Sequence, residues 1–301
     1  MPSEDRRGGP GTNRILDALP ASDRERIAAG MVPVTLDIKT VLFEPGEPIR
    51  AVHFPVDGVI SLVTPLDDGA IVEVATVGNE GIVGVPLVLG GSLNVRAISQ
   101  VSGHALCLDA RAFLDELGRG GAFAAIVHQY EQALFGQIAQ AAACNRLHTN
   151  EERLSRWLLM SHDRVGVDEF AITHEFLGQM LGSRRATVTL SAGLLQAAGL
   201  IRYHRGHVAI LDRDGLESVS CECYAVIRQE LDRVVTPSGN GDHPGVAARS
   251  VRRRADGRRE VWQAEACQTQ SVRSSVPTAD GEARWPTSRH VVRRSHPTQG
   301  I

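Results

Sequence analysis

The feature that most constrains this chain is a change of texture at about residue 110. From Val32 to Leu108 the sequence is β-branched and punctuated: "VPVTLDI", "TVLFE", "AVHFPVDGVISLVTPL", "AIVEVATV" and "VRAISQVSGHALCLD". Turn residues recur between these runs at Pro45-Gly46, Asp57-Gly58, Asp67-Asp68-Gly69, Gly78-Asn79 and Gly90-Gly91. Short strands at this spacing predict an antiparallel sandwich or barrel of the jelly-roll kind. Aromatic residues make up only 4% of the chain, so the core of such a barrel must be mostly Val, Ile and Leu.

Helical periodicity takes over at about Arg111, and "RILDALPASDRERIAAGM" (14–31) predicts one or two short amphipathic helices before the barrel. In "AFAAIVHQYEQALFGQIAQAAACNRLH", Val127, Tyr130, Leu134, Ile138, Ala141, Cys144 and Leu147 recur every three or four positions. That stripe can bury against its own domain or against a twin helix, and Ala139, Ala141, Ala142 and Ala143 favour the twin because they permit close approach. Thr149 to Glu152 ("TNEE") is a capping box, so a new helix starts there and carries Leu154, Trp157, Leu158 and Met160 inward.

The stretch "ITHEFLGQMLGSRRATVTLSAGLLQAAGLIRYHRGHVAIL" (172–211) holds two helical patterns and two glycine breaks. Thr173 is the expected N-cap of the first helix, Gly182 ends it, Ser183 is expected to cap the second, and Gly199 stops it. Val188, Ala192 and Leu195 face inward by spacing, leaving Arg185 and Thr189 outward. Two β-rich runs around Arg205-Gly206 then predict a hairpin. Helix, tight turn, helix and hairpin make a winged helix-turn-helix, in which the second helix enters the major groove of double-stranded DNA. Arg185 can offer a bidentate fork to guanine, and Thr187 or Thr189 can contact bases. Thr173, His174, Ser183 and Arg184 lie near helix N-termini, where phosphates are favoured, and Arg205 and His207 on the wing are expected backbone contacts.

Length and charge fit two domains and no overall polyanion binder. The 301 residues carry a formal charge of only -3. That balance is uneven: from Thr236 onward eleven arginines face six acidic residues, a net of +5, which leaves -8 for the first 235. Five scattered cysteines (Cys107, Cys144, Cys221, Cys223, Cys267) are not a disulfide framework and favour a reducing compartment. The N-terminus has no apolar signal core and no run approaches a membrane span, so a cytoplasmic protein with no membrane partner is expected.

Two segments carry a family resemblance. "VLFEPGEPIRAVHFPVDGVISLV", with its Pro45-Gly46-Glu47 turn and Gly58, resembles the opening of the cyclic-nucleotide-binding barrel of the Crp/Fnr superfamily of bacterial transcription regulators. "THEFLGQMLGSRRATVTLSAGLLQAAGLI" resembles that family's helix-turn-helix, with Thr173, Gly182, Ser183, Arg185, Thr187, Val188, Leu195 and Leu200-Ile201 on the pattern. The resemblance covers about residues 14–235. It implies an α+β chain with a β jelly-roll sensor barrel (14–120), a dimerisation helix (121–148) and a winged helix-turn-helix (149–235); by composition, the polar stretch 1–13 and the Pro-, Gly-, Ser- and Arg-rich stretch 236–301 are expected to be disordered tails. The resemblance also implies a homodimer that reads an inverted repeat and works with RNA polymerase. Where the family's best-known readers place an acidic residue after the guanine-reading arginine and a second arginine later, this chain has Ala186 and Leu190, so its operator should differ.

The resemblance leaves the effector unnamed. The family's cyclic-nucleotide contacts fall here on Gly84, Val85 and Leu87 and on Arg96 and Ala97, and the glutamate that would take the ribose hydroxyl is missing. Cyclic AMP is therefore not the expected ligand. An iron–sulfur cluster of the family's N-terminal type would need cysteines before Cys107, and a haem would need an axial ligand such as His53, His104 or His128. Cys221 and Cys223 are close in sequence, but two ligands do not make a site and residues i and i+2 of a helix point apart. Helix packing, and no metal, is the expectation there. Three functions compete: a ligand-responsive regulator, a regulator with a structural or protein-binding barrel, and, last, a cupin-like metal enzyme. His53 and His104 alone make a poor metal cage, and no catalytic motif is present, so an enzyme is not expected.

Overall fold

The computed structural model describes residues 12–67, 69–88 and 93–236; the expectations for the tails at 1–11 and 237–301 lie outside the described residues. Two short helices, α1 (Arg14–Asp17) and α2 (Ala21–Ala28), precede seven strands: β1 (Met31–Leu36), β2 (Val41–Phe43), β3 (Ala51–Pro55), β4 (Val59–Pro65), β5 (Ile71–Val77), β6 (Arg96–Val101) and β7 (Gly103–Asp109). All pairings are antiparallel, in two sheets ordered β1-β7-β3 and β2-β6-β4-β5. This is the expected jelly-roll type of sandwich. Asn13, assigned by sequence to the tail, is instead 1% exposed. Its side-chain Oδ1 caps α1, accepting from the Ile15 and Leu16 amides, and its Nδ2 donates to the carbonyls of Pro55 and Gly81 at 2.9 Å each. A buried amide needs such partners, and these fix the start of α1 to the barrel.

Helix α3 (Ala110–Gly118) follows the last strand, capped by Asp109, and α4 (Gly121–Leu147) is the long helix. Phe54 of β3, Phe113 of α3 and Phe123 of α4 meet in a row, tilted and then edge-on, with centroids 6.5 and 5.6 Å apart. Val127, Tyr130, Leu134, Ala141 and Cys144 of α4 are buried within the chain. The stripe read from the sequence is therefore the intramolecular face, except Leu147, which is exposed. A different face of α4 is open: Gln132, Phe135, Ala139, Ala142 and Arg146 are all exposed, at alternating spacings of three and four, with Phe135 at 74%.

The second half begins at α5 (Asn150–Val165), whose capping box forms as read: Thr149 Oγ1 accepts from the Glu152 amide and the Glu152 carboxylate accepts from the Thr149 amide. Strand β8 (Glu169–Ala171), α6 (His174–Met180), α7 (Arg185–Ala197), β9 (Ile201–His204), β10 (His207–Ile210), α8 (Arg213–Ser218) and α9 (Cys223–Val235) complete the chain. The wing is a three-stranded sheet, β8-β10-β9; its third strand has no sequence signal because Glu169–Ala171 is too short to show alternation.

The two halves are packed together. Arg164 of α5 reaches the end of β5, α6 rests against β5, and α9 runs back along α4. Arg14 of α1 pairs with Asp232 of α9 at 2.7 Å. Cys221 precedes α9 rather than lying within it, with Glu222 as the N-cap. The expected divergence of Cys221 and Cys223 therefore does not occur: both sulfurs turn toward Cys144 and His148, and the four ligand atoms lie within 4.8 Å of one another. Among the described residues no helix is long and apolar enough to cross a membrane.

Candidate nucleic-acid interface

The helix-turn-helix is built on α5, whose polar first turn reaches both following helices. Asn150 accepts from Ser183 Oγ at 2.5 Å and Glu151 accepts from the buried Ser191 hydroxyl at 2.7 Å. Ser183 thus ties the turn to α5 and does not cap α7. The N-cap is Arg184, which makes no side-chain capping bond. The turn between α6 and α7 is tight enough that a Cβ on Gly178 would stand 2.9 Å from the Ser183 carbonyl. The Ser183 amide in turn donates to Gly178 O at 2.8 Å. Glycine is needed here because two backbones meet.

On α7, Val188, Ser191, Ala192 and Leu195 are buried, as their spacing requires. Arg184, Arg185, Ala186, Thr189 and Leu190 are exposed, Leu190 by 69%, while Thr187 is half-buried. The two arginines stand at the start of a thirteen-residue helix, with uncapped amides beneath them. Leu190 gives its part of this exposed face an apolar side chain with no hydrogen-bonding group.

Thr173 caps α6, its hydroxyl accepting from the Phe176 amide at 3.2 Å. His174 is committed inside the protein. Its Nδ1 lies 3.0 Å from Thr189 Oγ1, and its ring stacks on Tyr203 of the wing at 4.0 Å. Burial, and then the charge of Arg185, lower its pKa, so the neutral imidazole can donate through Nδ1 to Thr189. Thr189 Oγ1 also donates to the Arg185 carbonyl at 3.0 Å, which leaves its methyl as its outward group. The Tyr203 hydroxyl donates to Ile172 O at 2.6 Å and its amide to Gln196 Oε1 at 2.7 Å. Tyr203 and Gln196 therefore fix the wing to α7. No sequence motif marks Gln196, and Tyr203 is hidden within an ordinary strand pattern.

The wing hairpin turns on two residues, Arg205 (φ 47°) and Gly206 (φ 81°), with His204 opposite His207. Arg202, His204, Arg205 and His207 line one concave, exposed surface together with Glu169. Four basic or titratable side chains around one negative one suit phosphate oxygens. His204 and Arg202 join the sequence candidates because alternate strand residues share a face.

The effector candidates are placed less suggestively. Gly84 (φ 120°) packs against Val52, and Val85 and Leu87 lie in a short 3₁₀ turn, Val85–Leu87, with Val85 buried. Arg96 begins β6, in the other sheet, where it pairs with Glu44 at 2.7 Å, and Ala97 is fully buried. The histidines weighed as haem ligands do not converge on a common pocket by their partners. His53 is buried in β3, where burial lowers its pKa to about 4, while His104 pairs with Asp57 and His128 with Glu131.

Two family models match the chain: the cyclic nucleotide-binding domain over residues 33–119 and the Crp-like helix-turn-helix domain over residues 152–219. No curated protein matches it in sequence. Among solved structures, FixK2 from Bradyrhizobium japonicum superposes with a TM-score of 0.56 at 17% identity, over 64% of this chain and 98% of that one. TTHB099, a CRP-family transcriptional regulator from Thermus thermophilus, gives 0.52 at 21%, over 62% and 96%. The c-di-GMP responsive global regulator CLP from Xanthomonas campestris gives 0.52 at 16%, over 64% and 99%. At these identities the likeness concerns the fold. With the two modules in this order over just more than half of its length and a fold shared with these regulators, the chain belongs to the Crp/Fnr superfamily of transcription regulators.

Proposed function

We propose that the protein acts as a homodimer that reads an inverted-repeat operator through α7, with the wing on the flanking phosphates, and works with RNA polymerase in the cytoplasm. The observation that carries this reading is the exposed pair Arg184-Arg185 at the start of an α7 held rigidly by α5 and the His174–Tyr203 stack. In this reading Arg185 takes a guanine edge, Thr189 and Leu190 present methyl groups to thymine, and Arg184, Arg205 and His207 take phosphates. Thr173, His174 and Ser183 position the helices rather than touch DNA, because the hydroxyls of Thr173 and Ser183 and Nδ1 of His174 already have partners within the protein. Dimerisation through α4 rests on the exposed Phe135 face, whose three-four spacing is that of a coiled-coil seam.

The signal sensed by the barrel is a small molecule in one version of this reading. A second version, a barrel that serves as scaffold or protein-binding unit, is favoured by Arg96, since the side chain expected on an effector phosphate is ion-paired with Glu44. Catalysis forms no part of either. The test is selection of random double-stranded DNA by the purified protein, with Arg185→Ala alongside. An enriched inverted repeat with half-sites about one helical turn apart, blurred at one base pair per half-site by the substitution, is the expected result. A single unrepeated half-site, or no enrichment in buffer or in cell extract, would overturn it.

A further inference from the structure

We propose that Cys144, His148, Cys221 and Cys223 form a binding site for one zinc ion, which pins α9 to the end of the long helix α4. Cys144 and His148 lie one helical turn apart at the end of α4, and Cys221 and Cys223 flank the start of α9. All four ligand atoms fall within 4.8 Å of one another. Cys144 Sγ is 3.6 Å from Cys221 Sγ, and Cys223 Sγ is 3.4 Å from His148 Nδ1. Tetrahedral zinc with bonds of about 2.3 Å to sulfur requires ligand–ligand edges of roughly 3.8 Å. A disulfide would need about 2.05 Å. An iron–sulfur cluster, being several atoms across, would push its cysteine ligands further apart than one ion does.

The surroundings are arranged as a zinc site requires. The other ring nitrogen of His148, Nε2, stands 3.2 Å from Glu222 Oε2, which holds Nδ1 toward the sulfurs. Gln140 Nε2 donates to Cys223 Sγ at 3.1 Å. Carboxylate partners on a ligating imidazole and hydrogen bonds to ligating atoms are what orient such sites. The three cysteines are at most 4% exposed and form their own cluster, apart from the main apolar core.

Charge supplies an independent reason. Arg153 and Arg156 are each 7% exposed and make no ion pair with a carboxylate among the described residues; the Nε of each is buried without a hydrogen-bond partner. Zinc binding releases three thiol protons and leaves three thiolates, one neutral imidazole and one Zn²⁺, a net of -1. That negative site is a counter-charge for the buried guanidiniums. The site closes where α4 ends and α5 begins, so the ion fixes the C-terminal helix at the junction between the two domains. The proposal does not depend on the DNA-binding reading.

The experiment uses the full chain purified without chelator, with metal content measured by mass spectrometry and zinc exchanged for cobalt. About one zinc per chain is expected, and the cobalt form should give intense tetrahedral visible bands together with sulfur-to-cobalt charge transfer. Cys221→Ser and Cys144→Ser should each reduce binding at least tenfold, and His148→Cys should retain it. Removal of the metal should lower the melting temperature by about 5 °C or more. Cobalt bands on the unaltered protein test the site even if a serine variant does not fold. Sub-stoichiometric metal with no tetrahedral cobalt spectrum, metal content indifferent to all the substitutions, iron with acid-labile sulfide, or a Cys144–Cys221 disulfide in the freshly isolated protein would each overturn the proposal.

Discussion

Arg164 of the DNA-binding half and Glu80 of the barrel form an ion pair at 2.7 Å in which both side chains are at most 7% exposed. The guanidinium also donates to Thr76 Oγ1 at 2.6 Å and to the Thr76 carbonyl at 3.1 Å, so one side chain satisfies the end of β5 and the loop after it. Burial alone would raise the Glu80 carboxyl; the charge and hydrogen bonds of Arg164 hold it below its usual range. A movement of the barrel around β5 cannot leave α5 undisturbed while this pair persists.

Breaking one side of the pair should therefore be costly. Glu80→Gln leaves a buried, uncompensated guanidinium and should destabilise the protein by about 3–5 kcal/mol, read from the urea midpoint. The double replacement Arg164→Met with Glu80→Leu should recover most of that loss, because it removes both desolvated charges. Because the folded carboxyl titrates lower than the unfolded one, the pair's contribution is complete above the unfolded value and is lost as pH falls through the folded one. A loss under about 1 kcal/mol for the single substitution would refute this account.

Glu73 should have the opposite pH dependence. It is buried, its Oε2 is 2.6 Å from Ser61 Oγ, and burial raises its pKa from 4.5 to about 7, against weaker opposing contributions from Ser61, Arg156 and Arg164. A carboxyl that titrates higher in the folded state supports it below the unfolded value, and that support fades as pH rises toward 7. Glu73→Gln should thus be more stable relative to the parent at pH 8 than at pH 4.5, by an amount on the order of 3 kcal/mol. Parallel stability curves for the two proteins across that range would count against a buried, proton-holding Glu73.

The adjacent arginines of α7 should separate by salt and by sequence. Arg185→Ala should lose about 1–3 kcal/mol of discrimination at one base pair per half-site. Arg184→Ala should weaken all sequences alike and flatten the salt dependence by about one unit. Fluorescence titrations with the selected operator and with a scrambled duplex at several salt concentrations distinguish the two. Equal losses on both duplexes from both substitutions would end the proposed division between base and phosphate.

How far these features are legible in the sequence follows from the range of the interactions behind them. The strands, the capping box at Thr149 and the inward face of α7 are set by neighbours a few residues apart, and each falls where its pattern puts it. Ser183 departs from expectation because N-cap preference is local, whereas its hydroxyl is taken by Asn150, thirty-three residues earlier. Arg164 with Glu80 and Cys144 with Cys221 are separated by 84 and 77 residues, and no periodicity relates such positions. The stripe on α4 is visible in the sequence, but a periodic apolar face does not say which of two partners covers it. Only packing in three dimensions assigns it to the barrel and α9.

That reassignment yields the last prediction. The covered face of α4 uses Val127, Tyr130, Leu134 and Ala141, so a partner helix must meet the open face, where Phe135 is 74% exposed and Ala139 and Ala142 permit close approach. Phe135→Glu places a carboxylate against its own copy across a two-fold axis, where like charges and lost apolar burial both oppose association. Sedimentation should report a dimer for the parent chain and a weakening of association by at least tenfold in the variant. Operator affinity should fall with it, because one half-site alone retains only part of the contacts, while the urea midpoint measured for the separated chain stays near that of the parent. A variant that remains dimeric at the same concentrations would place the interface elsewhere than on α4.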